Sequence, residues 1–164
     1  MVGKINLLGV LSFLMFIAVA CGESTIYERG IALPGQSWDK DSLLVFNPVI
    51  TDTSQVVNIG FSLVHTNDYP YSNMWLFIKV ESPDGAMQTD TMEYFLAEPT
   101  GQWLGNGNEN KMTLFWLYKR DVKLSSPGQY RFGITQGMRR EALPGVKSFS
   151  LWIEKAEKPE VTSE

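Results

Sequence analysis

A period of two in the apolar residues dominates this sequence and favours β-strands over helices. In residues 57–63, Val, Ile, Phe and Leu alternate with Asn, Gly and Ser. The same alternation recurs in residues 74–80, 130–134 and 149–153, and weaker forms of it occupy residues 26–32, 43–50, 87–96 and 112–119. Because successive side chains of a strand point to opposite faces, each segment is predicted to be a strand with one face in a core.

Turn-forming residues separate the predicted strands. Pro-Gly, Asn-Asp and Gly-Asn clusters fall between them, and Ser82-Pro83-Asp84-Gly85 is typical of a tight hairpin. No segment after Cys21 has a convincing amphipathic helical pattern. We therefore predict an all-β fold, a single antiparallel β-sandwich of about eight strands, jelly-roll or immunoglobulin-like, over residues 26–157. Residues 158–164 are predicted to be a polar tail.

The N-terminus reads as a targeting segment. Of residues 5–20, which follow a short basic start, 13 of 16 are apolar, and small residues stand directly before Cys21. This run is short for a membrane span and has the length of a secretory signal. The small residues before Cys21 resemble a bacterial lipobox, so we predict a lipoprotein signal peptide at 1–20, a lipid such as palmitate on Cys21, and a short tether over 21–25. A secreted protein with a free thiol, or an uncleaved anchor, is the alternative.

Composition excludes several classes of site. The formal net charge is −4 without basic runs, which argues against nucleic-acid binding. One cysteine and one histidine exclude a disulfide scaffold and a Cys/His zinc site. That histidine, His65, lacks a Gly-x-Ser-x-Gly partner motif and is predicted to be a partly buried, hydrogen-bonded residue at a strand end.

No catalytic or metal-binding residue is therefore predicted, and we expect a protein that is not an enzyme. Carboxylates near Asp39 and Asp41, or at Asp90 and Glu93, are the only support for a glycosidase. The glycine-hinged segment with Asn106, Asn108 and Glu109 is predicted to be a mobile loop, with calcium binding as the alternative.

Five tryptophans are the most suggestive side chains, at positions 38, 75, 103, 116 and 152. On a sandwich they are expected to lie in the core or at a protein interface, and Trp75 shares a face with Phe77. Stacking on sugar rings is the alternative, which would make the protein a surface or periplasmic carbohydrate-binding module.

One long set of motifs resembles the GldH gliding-motility-associated lipoproteins of the Bacteroidetes. Its most specific part is the run from His65 to Asn73, followed by Trp75-Leu76-Phe77. It continues through Pro83-Asp84-Gly85, Asp90-Thr91, Leu96–Gly101, Trp103-Leu104-Gly105, Leu117-Tyr118-Lys119, Pro127–Tyr130 and Gln136–Arg139. The chain departs from the family at His65, where an arginine is expected, and in residues 108–110.

The resemblance implies a lipoprotein needed for gliding, working with other envelope proteins of the motility and type IX secretion machinery. It brings no catalytic residues or cofactor. Eight residues are the candidates for partner binding: Asn67, Asp68, Tyr69, Tyr71, Asn73, Trp75, Trp103 and Arg139. Gly22 follows Cys21 in place of the aspartate that retains enteric lipoproteins at the inner membrane, so the outer membrane is expected, on either of its faces.

Overall fold

Two antiparallel sheets make up the body of the computed structural model, which describes residues 24–156. The predicted signal peptide, Cys21 and the tail at 158–164 lie outside the described residues. The strands, in chain order, are β1 Thr25–Ala32, β2 Ser37–Asp39, β3 Leu44–Phe46, β4 Val49–Ile50, β5 Val56–His65, β6 Asn73–Glu81, β7 Met87–Phe95, β8 Asn106–Asn108, β9 Lys111–Lys123, β10 Gly128–Gln129, β11 Arg131–Gln136, β12 Ala142–Pro144 and β13 Val146–Lys155. A 3₁₀ turn, Pro34–Gln36, follows β1.

One sheet has the order β1-β13-β5-β9-β8 and the other has the order β3-β11-β6-β7. Two small ladders, β10-β4 and β12-β2, extend the ends of the sandwich. Every pairing in the described residues is antiparallel. The predicted all-β antiparallel sandwich is confirmed.

The four segments with the clearest alternation of apolar and polar residues correspond to strands in the structure, namely β5, β6, β11 and β13. The predicted strand at 43–50 was wrong in one respect, because it divides into β3 and β4 around Asn47-Pro48. Proline has no N–H to give to a ladder, so pairing stops there. The hairpin at Ser82 is confirmed, with a 3.0 Å hydrogen bond from Ser82 N to Ala86 O and Gly85 at φ +84°.

Aromatic rings join the two sheets at the centre of the core. Phe61 of β5 is fully buried, and its ring centroid lies 5.3 Å from that of Phe149 and 5.4 Å from that of Tyr118. Across the sandwich, the ring of Tyr94 in β7 lies 6.4 Å from Phe61 and stacks on Trp116 of β9 at 4.6 Å. These contacts bury large apolar area where the sheets meet, which is the main favourable term in folding.

A polar contact closes the edge where β7 and β9 approach each other. The Tyr118 hydroxyl donates to Asp90 Oδ2 at 2.5 Å, and Lys119 Nζ lies 3.1 Å from the same oxygen. The hydrogen bond from Tyr118, with help from Lys119, holds the pKa of Asp90 below its usual range. Burial, and then this carboxylate, raise the pKa of Tyr118. The two edges are therefore held together by a charge-assisted hydrogen bond.

The strand directions give the sandwich two distinct ends. At the N-terminal end, Lys155 N donates to Ser24 O at 2.7 Å and Ala156 N donates to Val56 O at 2.9 Å. From there β5 runs to His65 at the other end, which we call the distal end. A β-strand advances about 3.3 Å per residue, so the ten residues of β5 separate the two ends by about 30 Å. Within residues 24–156, no helix has the length and hydropathy of a membrane span.

Candidate functional site

The predicted partner-binding turn forms the distal end between β5 and β6. Thr66 N donates to Gly145 O at 2.8 Å, and Tyr69 N donates back to Thr66 O at 3.1 Å. The Tyr69 side chain is 2% exposed, and its hydroxyl donates to Asn73 O at 2.8 Å. Burial raises the pKa of this phenol. Tyr69 therefore positions the turn from beneath rather than offering contact surface.

His65 lies under the same turn and is more buried than predicted. Its side chain is 0% exposed, and its ring lies 4.7 Å from that of Trp103 and 5.9 Å from that of Tyr69. Nδ1 lies 3.0 Å from Thr66 O, a carbonyl that only accepts, so the neutral ring carries its proton on Nδ1. Nε2 is buried without a partner in the described residues. Burial lowers the pKa of His65.

We expect the domain to lose stability as the pH falls below about 6.5, the pKa of an unfolded histidine. Below this pH the unfolded chain binds a proton on His65, whereas the buried ring in the native state stays neutral. The free energy of unfolding therefore decreases as the pH falls from about 6.5 to the lowered pKa of native His65. Thermal unfolding at pH 7.5 and pH 5.5 measures this loss. His65 is the only histidine in the sequence.

His65→Leu is the matched control, because Thr66 O keeps its bond from Tyr69 N when the ring is removed. The leucine variant should show little change in midpoint between the two pH values. An equal change in both proteins would contradict the assignment of the pH dependence to His65.

The exposed part of the distal end is a mixed polar and aromatic surface. We call it the distal surface; it consists of Asn67, Asp68, Tyr71, Trp103 and Arg139. Asn67, Asp68 and Arg139 are exposed, while Tyr71 and Trp103 are half-buried. The segment between β11 and β12, which carries Arg139, lies beside β6, where Trp75 N donates to Met138 Sδ at 3.3 Å. Gly145 follows β12, and a Cβ there would lie 2.5 Å from Tyr69 N, so the chain just after β12 packs closely on the turn.

The candidate calcium segment also lies at the distal end, but it is not a plain loop. Asn106–Asn108 form β8, which pairs with the start of β9. Asn108 Oδ1 accepts the Asn110 N–H at 3.0 Å, and Glu109 O accepts the Asn67 N–H at 2.9 Å. The predicted loop is therefore a hairpin that supports the turn. Within residues 24–156 no group of three or more His, Cys, Asp or Glu side chains is placed to hold a metal, and calcium binding stays a prediction.

Asn73 and Trp75 belong to a different surface, the outer face of the four-stranded sheet. Five large apolar side chains are exposed there and form what we call the aromatic face: Leu43 (48%), Trp75 (38%), Phe77 (48%), Met87 (58%) and Phe95 (60%). The prediction that Trp75 and Phe77 lie on the face of β6 opposite to Met74 and Leu76 is confirmed, since Met74 and Leu76 are 0% exposed. The sequence reasoning missed Leu43, Met87 and Phe95, although the period of two in β7 places its odd-numbered residues outward.

The other tryptophans do not form a second exposed platform. Trp38 and Trp116 are buried, Trp103 and Trp152 are partly buried, and Trp75 is the one tryptophan more than a third exposed. The carboxylates of Asp90 and Glu93 also separate. Asp90 reaches β9 between the sheets, whereas Glu93 accepts from Asn73 Nδ2 at 2.6 Å on the outer face. Neither arrangement presents a pair of groups to one cleft.

A shallow pocket of about 110 Å³ lies at the N-terminal end, far from the distal surface. Apolar side chains of Ile26, Ile50, Val57 and Leu124 line it, with Asp52, Gln55 and Lys155 among its polar groups. The candidate residues instead form open surfaces, a shape that suits contact with another macromolecule better than enclosure of a small ligand.

Comparison with known proteins gives matches along nearly the whole described chain. A family model described as "GldH lipoprotein" matches residues 25–153. A gliding motility lipoprotein GldH homolog from Christiangramia forsetii is 31% identical over 153 residues, covering 88% of this chain and 93% of its own. The gliding motility lipoprotein GldH of Flavobacterium johnsoniae is 30% identical over 141 residues, covering 85% and 87%.

Solved structures give much weaker likenesses. A structure of the infectious bursal disease virus Gx strain matches 82% of this chain and 31% of its own at 14% identity, with a TM-score of 0.36. A structure of carbohydrate-binding modules from the β-sandwich superfamily matches 85% of this chain and 58% of its own at 9% identity, with a TM-score of 0.33. At these TM-scores neither likeness supports an argument about function.

Proposed function

Because the chain belongs to the GldH lipoprotein family, we propose that it is a non-enzymatic, lipid-anchored protein of the outer membrane that binds protein partners of a motility or secretion assembly through its distal surface. Two of its relatives carry gliding motility in their names, which supports the process but names no partner. The chain's own contribution is adhesion between a membrane and a neighbouring protein.

The observation that carries this proposal is the separation between the anchor and the candidate surface. The described chain begins at Ser24, three residues after Cys21, and Ser24 is hydrogen-bonded at the N-terminal end of the sandwich. A lipid on Cys21 would hold that end within about 10 Å of the bilayer, since an extended chain spans at most about 3.4 Å per residue. The distal surface would then project about 30 Å away from the membrane, where a partner can reach it.

The composition of the distal surface also supports a protein partner. Tyr71 and Trp103 supply aromatic area, and Arg139 supplies a fork of donors; aromatic residues and arginine are enriched where proteins bind one another. Asn67 and Asp68 add exposed polar groups on a turn that is fixed from beneath by Tyr69 and His65. A rigid turn loses little conformational entropy on binding.

The test uses two distal variants, each with a matched control at an exposed residue toward the other end. Asn67→Arg is compared with Gln129→Arg, and Arg139→Glu is compared with Arg120→Glu; all four positions are exposed. Tagged, lipidated full chain is recovered from membranes solubilised in mild detergent, and co-purifying envelope proteins are quantified. We expect each distal variant to reduce recovery of the same partner about tenfold or more, the effect of losing at least 1.4 kcal/mol of binding.

The control variants should recover that partner as the parent does. Equal recovery by all four variants would show that the distal surface is not the binding surface. Recovery of no stoichiometric partner by the parent chain would contradict the adaptor function itself.

A further inference from the structure

The outer face of the four-stranded sheet is the largest feature that the distal surface does not account for. Its five exposed apolar residues, the aromatic face, are 38% to 60% exposed. Threonines separate them: Thr91 of β7 and Thr135 of β11 lie beside Phe77 in register. Trp75 and Phe77 both contact the position of Gly137 and so form one apolar patch, and exposed apolar patches mark interaction sites.

Two glycines lie on this face under larger side chains. Gly133 is in the strand next to Phe77, and Gly137 follows that strand. Leu43 leans over Gly133 and Phe77 leans over Gly137, each to 3.1 Å from the place a Cβ would occupy. Sheets that pack face to face keep their strands nearly aligned, about 10 Å apart.

The charges of this face are self-complementary. Arg131 and Glu81 are both exposed and lie opposite each other in the β11–β6 register, at the N-terminal edge of the face. Within residues 24–156 neither takes part in an ion pair; the pairs found there are Lys40–Glu141 and Lys119–Asp90. A two-fold axis parallel to the strands, midway between β6 and β11, brings Arg131 of each copy opposite Glu81 of the other.

The same axis sets each residue of β6 against its register partner in β11 of the other copy. Phe77 of one copy faces Thr135 of the other, and Lys79 faces Gly133. Because the axis runs along the strands, both N-terminal ends point the same way, as two chains in one membrane require. An isologous interface of this kind closes on itself and leaves no open surface for further addition.

We propose that the aromatic face binds a second copy of this chain, forming a two-fold dimer by face-to-face packing of the β3-β11-β6-β7 sheets. With three residues in β3, six in β11 and nine each in β6 and β7, the sheet covers about 430 Å² per copy, or about 860 Å² in total, which is the size of a weak, reversible interface. The dimer places two distal surfaces side by side. A partner with two or more copies of the same binding site would therefore bind the dimer with higher overall affinity than the monomer.

The first experiment measures the mass of the full-length chain in mild detergent by light scattering during size exclusion. The parent should be a dimer, and Phe77→Glu should weaken dimerisation about a hundredfold or more, since it leaves a charge unpaired in the interface. Phe115→Glu is the matched control: Phe115 is 66% exposed, on the outer face of the other sheet. It should leave the dimer intact, and a melting curve confirms that both variants are folded.

A charge swap supplies the second readout. Glu81→Arg alone should weaken the dimer by placing two arginines opposite each other, and adding Arg131→Glu should restore it. Cys21→Ala, which has no lipid anchor, should dimerise to the same extent as the parent, because the interface does not involve the lipid. A monomeric parent chain, including one that binds only a different protein, would overturn the proposal. So would a dimer that survives Phe77→Glu or is lost in Phe115→Glu.

Discussion

Gly60→Ala is expected to prevent the domain from folding. Gly60 lies in β5, the middle strand of the five-stranded sheet, between Trp152 of β13 and Leu117 of β9. An added Cβ would lie 2.0 Å from Trp152 Cζ2 and 2.3 Å from Trp116 O, and the second atom is backbone that cannot rotate away. Moving β9 or expelling the indole would cost more than about 4 kcal/mol, much of the 5–15 kcal/mol by which domains are stable.

The measurement is the yield of soluble protein and its thermal unfolding curve. Gly30→Ala is the matched control on the outer face of the same sheet, because a Cβ there would meet only Ser150 Oγ, at 2.9 Å. A hydroxyl can rotate, so we expect this variant to change stability by less than about 1 kcal/mol. A Gly60→Ala protein that melts within a few degrees of the parent would contradict the register of β5 with its neighbours.

Cys21→Ala is expected to move the protein completely from the membrane to the soluble fraction while leaving the domain folded. Each buried methylene of an acyl chain contributes about 0.8 kcal/mol to attachment, and two or more chains give a durable anchor. The substitution removes every such chain at once. Cell fractionation and mass spectrometry of the N-terminal peptide measure the outcome.

Ser24→Ala is the control, since it changes an exposed residue three positions later and leaves the lipobox-like sequence intact. It should remain in the membrane fraction. The melting temperature of soluble Cys21→Ala should equal that of the detergent-solubilised parent, because the hydrogen-bonded body begins at Ser24. An unmodified thiol on a freely soluble parent chain would contradict the lipoprotein assignment.

Local pattern was sufficient for the strands and their faces. The alternation in β5 and β6 identified their buried sides correctly, because a residue's face follows directly from its position in a strand. The pattern failed where an element is only two or three residues long, as in β2, β8, β10 and β12. Such segments are too short to show a period, and pairing with a neighbour rather than composition makes them strands.

The candidate site shows the same division. Turn chemistry and the resemblance identified residues 67–73, yet they gave equal weight to Tyr69, which is buried, and Asn67, which is exposed. The sequence could not show that the segment carrying Arg139 packs beside Trp75, whose N–H donates to Met138 Sδ at 3.3 Å. The odd spacing of Asp90 and Glu93 places them on opposite faces of β7 once both are known to lie in that strand, and the structure shows which of the two lies between the sheets.

The sequence by itself determined the class of fold and the family, because both depend on neighbours along the chain or on motifs read in order. The tertiary structure decided which end of the sandwich carries the turn, how deeply His65 is buried, and that residues as distant as Leu43 and Phe95 share one open face. These properties depend on which strands pair and in what register. Such pairings join residues far apart in sequence, and no local pattern encodes them.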